Sequence, residues 1–198
     1  LHVRSRRQRQ MCIRDRFPVD MIQGGAGTST NMNANEVIAN RALEIMGHAH
    51  GDYAFCSPND HVNCSQSTND AYPTAIHLGM YATHLKLLPY LEDLIAAFRR
   101  KGEEFAHIIK MGRTQLEDAV PMTLGQTFNG FASILTDEIK HLNEAAADFL
   151  TVNMGATAIG TGICAEPGYA EKCIAALRDI TGWDIRLSDD LVGATSDT

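Results

Sequence analysis

The sequence predicts a mostly α-helical protein that forms part of a bundle of long helices. Apolar residues recur at helical spacing through most of the chain after Asn33, and the longest such stripe runs from Leu124 to Phe149. At about 1.5 Å per residue this helix spans roughly 40 Å, and its single apolar seam needs partner helices to bury it. We expect little or no strand after Gln23.

Composition fits a globular protein with one unusual terminus. No apolar run approaches the ~18–20 residues that a membrane span needs. The five cysteines are scattered and none forms C-x-x-C, so neither a disulfide framework nor a zinc site is indicated, and we expect a cytoplasmic setting. Residues 1–16 carry six Arg and one Asp (+5), whereas the remainder carries 11 Lys plus Arg and 23 Asp plus Glu (−12). The acidic body argues against nucleic-acid binding.

The basic head, residues 1–16, has three possible origins: a transit peptide, a nucleic-acid arm, or foreign sequence. It lacks the alternating apolar face of a transit peptide and joins abruptly to a segment of different character at Phe17. We interpret it as a foreign or disordered head and leave it out of the fold prediction.

The first helix is predicted behind a glycine-rich loop, GGAGTSTNMNANE. The loop fits neither a P-loop nor the dinucleotide fingerprint. Asn33 and Glu36 have capping-box spacing, and Gly47 is a plausible end. The apolar face expected to be buried consists of Ile38, Ala42, Ile45 and Met46. The histidines that follow, at positions 48, 50 and 61, lack a carboxylate or thiol at ligand spacing, which favours surface or hydrogen-bonded roles over a metal site.

The stretch Val62–Pro73, VNCSQSTNDAYP, begins the second helix. Ser, Thr, Asn and Asp are preferred N-cap residues, and Pro73 suits a first helical turn. One cap needs one such residue, whereas this stretch has several. Since helix N-termini also bind anions, the surplus indicates either a cap alone or a cap combined with a ligand site.

The remaining elements follow in order. The second helix continues to about His107, with Pro89 expected to kink or restart it. A loop from Lys110 to Pro121 precedes Thr123, which is expected to cap the long third helix. The later elements are a Gly/Thr-rich loop at 153–162, a helix at about 169–181 ended by Gly182, and a further helix capped by Ser188–Asp190.

The chemistry of the chain does not follow the usual catalytic motifs. It contains neither G-x-S-x-G nor H-E-x-x-H. Hydroxyl and amide residues instead recur beside glycine in three loops, Thr28–Thr30, Ser67–Asn69 and Arg113–Gln115. Such donors at helix N-termini suit a small carboxylate ligand.

Four segments in this order resemble the fumarase/aspartase superfamily: GGAGTSTNMNANEVIAN, VNCSQSTNDAYPT, KMGRTQLEDAVPMTLGQ and NMGATAIGTG. The resemblance covers residues 17–198. It implies a long-helix bundle of the superfamily type, truncated at both ends, with the end of an N-terminal domain at 17–68 and the first part of a central helical domain at 69–198.

Four positions resemble the aspartase branch rather than fumarate hydratases. Fumarases have Ser at position 26, Ser-Ser-Asn at 67–69, Thr-His at 114–115 and Gly-Gly-Thr-Ala at 154–157. This chain has Ala26, Ser67-Thr68-Asn69, Thr114-Gln115 and Met154-Gly155-Ala156-Thr157. The branch implies reversible elimination of ammonia from L-aspartate to give fumarate, through an aci-carboxylate intermediate whose charge the site must stabilise.

The resemblance also implies roles for individual residues. Thr28, Ser67 and Thr68 would hydrogen-bond the substrate carboxylates. Asn69 and Thr114 would contact the amino group, with Gln115 nearby. The segment Ser57–Asp60 lies where fumarases have a secondary anion site.

Features outside the chain are implied as well. The superfamily's proton-abstracting base is a serine on a Gly-Ser-Ser loop, which does not occur in these 198 residues. No catalytic base is therefore assigned, and we expect the isolated chain to be inactive. Sites in the superfamily are shared among three chains of a homotetramer. No cofactor and no membrane or nucleic-acid partner is expected.

Two other functions stay open. Fumarate hydratase would use the same scaffold and differ in the attacking group. A non-catalytic helical-bundle interaction protein would explain the polar residues as helix caps and would tolerate their replacement by alanine.

Overall fold

Helices dominate the architecture, as predicted. The computed structural model describes residues 16–20, 22 and 25–196. Its helices are Thr28–Met46 (α1), Thr68–Glu104 (α2), Leu124–Asp148 (α3), Tyr169–Thr181 (α4) and Leu191–Ser196 (α5), with a π-helical turn at Pro58–Val62. Its strands are Ile109–Thr114 (β1), Glu117–Thr123 (β2), Thr151–Val152 (β3) and Arg186–Leu187 (β4).

The described residues form two compact units. One contains those up to His77 together with those from Thr151 onward, and the other contains Leu78–Leu150. Within the described residues, no helix is at once long enough and apolar enough to cross a bilayer. The predicted head, apart from Arg16, lies outside the described residues.

Helix α1 begins earlier than predicted. Its N-cap is Gly27, at φ 84°, and Asn33 lies inside the helix, where its Nδ2 donates to the Arg16 carbonyl at 2.9 Å. The predicted Asn33/Glu36 capping box is therefore wrong. Gly27 can take the left-handed cap conformation without a Cβ, so no side-chain cap is required. The predicted end is confirmed, because Gly47 closes the helix at φ 83°.

The buried face of α1 also differs from the prediction. Ile38 and Ile45 are 54% and 72% exposed, so the predicted apolar face is wrong. The inward face carries Asn31, Asn35, Ala39 and Leu43. The two asparagines can be buried because both amides donate to Asn63 Oδ1, at 3.4 and 2.9 Å.

The three histidines make local contacts with their neighbours. The pairs are His48 with Asp52, His50 with Glu44, and His61 with the Ser57 N–H. The hydrogen-bonded interpretation of these histidines is thus confirmed. The Arg41 and His50 side chains beside Glu44 lower the pKa of that carboxyl.

Helix α2 runs for 37 residues and does not restart at Pro89. Proline removes one backbone donor, but the helix continues on both sides of it, so of the two predicted effects, a kink or a restart, the restart is excluded. The apolar seams of α2 and α3 meet at a cluster of rings. The centroids of Phe98 and Phe131 are 5.6 Å apart, and those of Phe105 and Phe128 are 5.5 Å apart. The prediction that the long third helix packs against a partner helix is therefore confirmed, and the partner is α2.

The segment predicted as a loop between these helices is a hairpin instead. Strands β1 and β2 pair antiparallel, with Ile109 opposite Thr123 and Thr114 opposite Glu117. Gln115 and Leu116 form its two-residue turn at φ 50° and 68°, the left-handed pair of a type I′ turn. The prediction of little strand failed here because that turn lacks the usual Asn-Gly signal.

The caps of the later helices follow the predictions. Thr123 and Gln126 form a reciprocal capping box on α3. Gly182 closes α4 at φ 71°. At α5, Asp190 Oδ1 accepts the N–H groups of Val192 and Gly193, both at 3.0 Å.

Candidate functional site

The N-terminus of α2 is closed by a reciprocal cap. Ser67 Oγ accepts the Asn69 N–H at 3.2 Å, and the Ser67 N–H donates to Asp70 Oδ1 at 3.0 Å. The side chains of Ser67 and Asp70 thus accept two N–H groups at the same helix end, as in a capping box. The Thr68 hydroxyl and the Asn69 side-chain carboxamide take no part in this cap, and they stand beside the positive end of a long helix.

Asp70 is a fully buried carboxylate, with 0% of its surface exposed. Its Oδ2 accepts the Thr157 N–H at 2.8 Å, which ties α2 to the loop that follows β3. Burial raises the pKa of Asp70, while the N–H groups of Ser67 and Thr157 act in the opposite direction by stabilising the charged form. The carboxylate joins two segments that are 87 residues apart.

Asn69 is held from both its side chain and its backbone. Its Nδ2 donates to the Ala158 carbonyl at 2.7 Å. The backbone carbonyl of Asn69 accepts from Asn153 Nδ2 at 3.0 Å. Asn153 Nδ2 also donates to Thr195 Oγ1 at 3.1 Å. Since the side-chain NH₂ group is turned toward Ala158, the opposite side of the carboxamide presents its acceptor oxygen.

The loop beyond β3 has a buried and constrained backbone. Residues 152–157 are all buried. A Cβ on Gly155, at φ 89°, would lie 2.7 Å from Ala170 Cβ, so this glycine permits close packing on α4. Thr157 is β-branched yet sits at φ 59°, which costs about 1–3 kcal/mol and requires compensating contacts.

Sequence reasoning missed the parts that Asn153 and Thr157 play here. Both are buried and both contact the first turn of α2. The Gly/Thr-rich motif is recognisable in the sequence, but its spacing does not reveal which residues reach another segment. The predicted start of the second helix within Val62–Pro73 is confirmed, and the bond of Asp70 to Thr157 is an addition.

Thr28 lies at the first position of α1, where its Oγ1 donates to the Gly25 carbonyl at 3.0 Å. The preceding Gly27 packs against the Tyr72 ring with no room for a Cβ. The beginnings of α1 and α2 are therefore in contact. Thr28, which follows Gly27, lies on the same side of the molecule's first unit as the start of α2, where Ser67–Asn69 are found.

The remaining predicted residues belong to other elements. Thr114 and Gln115 are exposed at the end of the β1–β2 hairpin, in the unit formed by 78–150. In the π-helical turn, Ser57 Oγ accepts the Asp60 N–H and donates to Asp60 Oδ2, so that hydroxyl is used locally. A cavity of about 270 Å³ is lined by α1 together with Arg16, Pro18 and His50, and by none of the predicted site residues.

Chemically, the start of α2 suits an anion that also carries a donor. The helix end and the hydroxyls of Ser67 and Thr68 favour a carboxylate. The oriented oxygen of Asn69 favours an N–H or ammonium group close to it. A small amino acid has both features.

Comparison with known proteins identifies the family. A family model described as "Lyase" matches residues 4–198. Aspartate ammonia-lyase of Pseudomonas aeruginosa is 59% identical over 184 residues, covering 92% of this chain and 39% of that protein. The Bacillus subtilis protein of the same name is 54% identical over 184 residues, covering 93% of this chain and 39% of that protein.

Solved structures give the same family and fold. The cobalt-bound Brucella melitensis structure titled fumarate lyase:delta crystallin has a TM-score of 0.86 at 55% identity, covering 89% of this chain and 38% of that one. A class II fumarase from Schistosoma mansoni has a TM-score of 0.82 at 34% identity, covering 91% of this chain and 41% of that one. The chain thus spans well under half the length of these relatives. It belongs to the lyase family matched by this model, the fumarase/aspartase superfamily.

Proposed function

We propose that the chain is part of an aspartate ammonia-lyase, which reversibly eliminates ammonia from L-aspartate to give fumarate. One observation carries the proposal. Relatives that are 52–59% identical over more than nine tenths of this chain bear that name, whereas the matched fumarase structure is 34% identical. The aspartase-type residues at positions 26, 68 and 115 support the same choice.

In this function the start of α2 binds substrate. Ser67 and Thr68, together with Thr28, hydrogen-bond the substrate carboxylates. When a base removes the Cβ proton, the adjacent carboxylate takes on a second negative charge, and donors fixed beforehand at the helix end stabilise it. Support comes from the cap geometry, which orients the Ser67 hydroxyl and leaves the Thr68 hydroxyl outside the cap.

The amino group is bound by different residues. Asn69 presents an acceptor oxygen because its N–H group is engaged with the Ala158 carbonyl at 2.7 Å. Thr114 contributes a second contact and Gln115 lies near it. Elimination of ammonia requires no activation of an attacking water, which is consistent with a glutamine at position 115.

The rest of the enzyme is inferred from the family resemblance. No Gly-Ser-Ser sequence occurs in the 198 residues, so the base comes from another segment. The working form is a cytoplasmic homotetramer without a cofactor, in which residues 17–68 end one domain and residues 69–198 begin the helical core. Its partners are its substrate and other copies of itself.

Two substrates test the proposal on the full-length gene product that contains this sequence, called the full-length product below. Incubation with L-aspartate should yield fumarate, and incubation with L-malate should yield none. If fumarate forms from L-malate but not from L-aspartate, the protein is a fumarate hydratase. Fumarate from neither would refute both enzymatic functions.

The non-catalytic alternative makes a separate prediction. An interaction protein would tolerate alanine at Ser67, Thr68, Asn69 and Thr114. We expect each of these replacements to reduce fumarate formation instead, which a rate assay with L-aspartate measures.

A further inference from the structure

The contacts around Asp70 extend beyond an ordinary helix cap. The reciprocal cap uses only one oxygen of Asp70, because Oδ1 accepts the Ser67 N–H. The second oxygen instead accepts the Thr157 N–H at 2.8 Å, and Thr157 is held at φ 59°. The carboxylate therefore fixes the backbone of a distant loop as well as its own helix.

The next residue of that loop reaches the proposed substrate site. The Ala158 carbonyl, directly after Thr157, accepts Asn69 Nδ2 at 2.7 Å. A carboxamide has its donor and its acceptor on opposite sides, so this bond decides which of the two faces the ligand. With the NH₂ group turned toward Ala158, the acceptor oxygen lies on the side that can face an amine.

A third contact holds the backbone of the same residue. Asn153, which is 3% exposed, donates to the Asn69 carbonyl at 3.0 Å and also contacts Thr195 Oγ1 at 3.1 Å. Asn69 itself is exposed, so its orientation is set by these neighbours rather than by burial.

From these contacts we infer that Asp70 is a positioning residue for the amine: by fixing Thr157 and hence the Ala158 carbonyl, it orients Asn69 so that its oxygen faces the amino group of the substrate. The inference rests on the proposed ammonia-lyase function. Asp70 does not touch the substrate, and its effect passes through Asn69. Loss of Asp70 should therefore weaken binding of ammonia more than binding of fumarate.

The test is the reverse reaction of the full-length product, with fumarate and ammonium varied separately. Asp70→Asn keeps the shape of the side chain but leaves only one acceptor for two N–H groups. We expect the KM for ammonium to rise about tenfold, the effect of losing one oriented hydrogen bond to a charged group. The KM for fumarate should stay within about twofold.

Two further variants separate positioning from general structural damage. Asp179→Asn makes the same chemical change at an exposed site on α4 and should leave both constants unchanged. In an Asn69→Ala background, Asp70→Asn should raise the KM for ammonium no further, because the residue through which it acts is gone.

Assays are run at a temperature where thermal unfolding shows each variant folded. If Asp70→Asn does not fold at any temperature, Thr157→Gly decides instead, since it leaves Asp70 in place but frees the backbone that Asp70 fixes at φ 59°. It should raise the KM for ammonium selectively. Equal changes in both constants, no change, or full additivity with Asn69→Ala would overturn the inference. An unsubstituted protein that forms no aspartate would overturn the proposed function itself.

Discussion

The Ser67 hydroxyl serves two tasks at the start of α2. It accepts the Asn69 N–H at 3.2 Å and, in the proposed function, donates to a substrate carboxylate. A hydroxyl can do both at once, because it has two lone pairs and one proton. Stability and binding should therefore both depend on it.

Replacement of Ser67 by alanine tests this double role. We expect Ser67→Ala to lower the free energy of unfolding by about 1 kcal/mol, the usual effect of losing an N-cap. It should also raise the KM for L-aspartate about tenfold. Urea unfolding and steady-state kinetics of the full-length product measure the two effects.

The matched control is Thr123→Ala, which removes the capping hydroxyl of α3. It should lower stability by a similar amount without changing the KM. If both variants raise the KM equally, the effect of Ser67 is a consequence of cap loss and not of substrate contact.

Asp70 offers a prediction about pH. Burial raises its pKa above the ordinary 3.8, so the folded state holds the proton more tightly than the unfolded chain does. Protonation therefore favours folding, and the stability of the natural protein relative to Asp70→Asn should increase as the pH falls from neutral toward 3.8.

Urea unfolding of both proteins at several pH values measures this difference. The opposite slope would mean that the N–H groups of Ser67 and Thr157 outweigh burial and hold the pKa of Asp70 below its ordinary value. The sign of the slope thus decides between two physical effects that act on one carboxylate.

At the residue level, local chemistry could be predicted and distant contacts could not. The cap at Ser67–Asp70 follows from residue types next to one another. The inward face of α1 does not, because Asn31 and Asn35 are buried only through Asn63, an acceptor 28 residues or more away. The hydrogen bond from the Thr157 N–H to Asp70 could not be predicted either, because the two residues are 87 positions apart in the chain.

Among the elements, the β1–β2 hairpin stores backbone strain at its end. Gln115 and Leu116 both have positive φ, and Leu116 is 96% exposed. Left-handed conformations cost a non-glycine residue about 1–2 kcal/mol. The type I′ turn is nevertheless formed, because its twist suits an antiparallel pair.

Glycine at the turn should relieve that strain. We expect Leu116→Gly to raise the free energy of unfolding by up to about 1 kcal/mol, since glycine's greater freedom in the unfolded chain offsets part of the gain. The control is Val120→Gly, at an exposed strand position of the same hairpin, which should lower stability. Destabilisation by both variants, measured by urea unfolding, would contradict the assigned turn.

The loop after β3 depends on close packing against α4. A Cβ on Gly155 would lie 2.7 Å from Ala170 Cβ, whereas a Cβ on Gly168 would meet nothing within 4 Å, and both glycines have positive φ. Gly168→Ala should lower the free energy of unfolding by about 1 kcal/mol, because alanine is strained at positive φ. Gly155→Ala should lower it by at least about 1 kcal/mol more, because the new methyl group would also clash with Ala170.

Thermal or urea unfolding of the two glycine variants checks this difference. Equal losses would mean that the loop can move away from α4 at little cost. In that case Thr157 would not be fixed by its surroundings, and the positioning of Asn69 would also be in doubt.

Elements with a strong helical period were predictable, and the weaker ones were not. The α2–α3 pairing followed from two long apolar stripes. Thr123 at the start of α3 and Gly182 at the end of α4 followed from ordinary cap chemistry. The hairpin was missed because its turn uses Gln-Leu. The start of α1 was missed because a left-handed glycine replaced the side-chain cap.

For the whole molecule, the residues of the proposed site are divided between the two compact units. Ser67, Thr68 and Asn69 belong to one unit, and Thr114 and Gln115 belong to the other. The chain spans 35–39% of the length of its curated relatives. The scaffold and part of the proposed site could be predicted from four motifs, while the base could not be assigned because no residue here matches it.

This leads to a prediction about the isolated chain. The 198-residue polypeptide should form no fumarate from L-aspartate, since it lacks the Gly-Ser-Ser base, whereas the full-length product should. Rate assays on the two purified proteins compare them directly. Turnover by the isolated chain would show that the base lies among these residues.

The choice of attacking group is the most direct test of the central claim. The full-length product is incubated with fumarate in the presence and absence of ammonium, and the products are identified by NMR. We predict aspartate when ammonium is present and no malate in either case. Malate without aspartate would contradict the ammonia-lyase function and make the protein a fumarate hydratase.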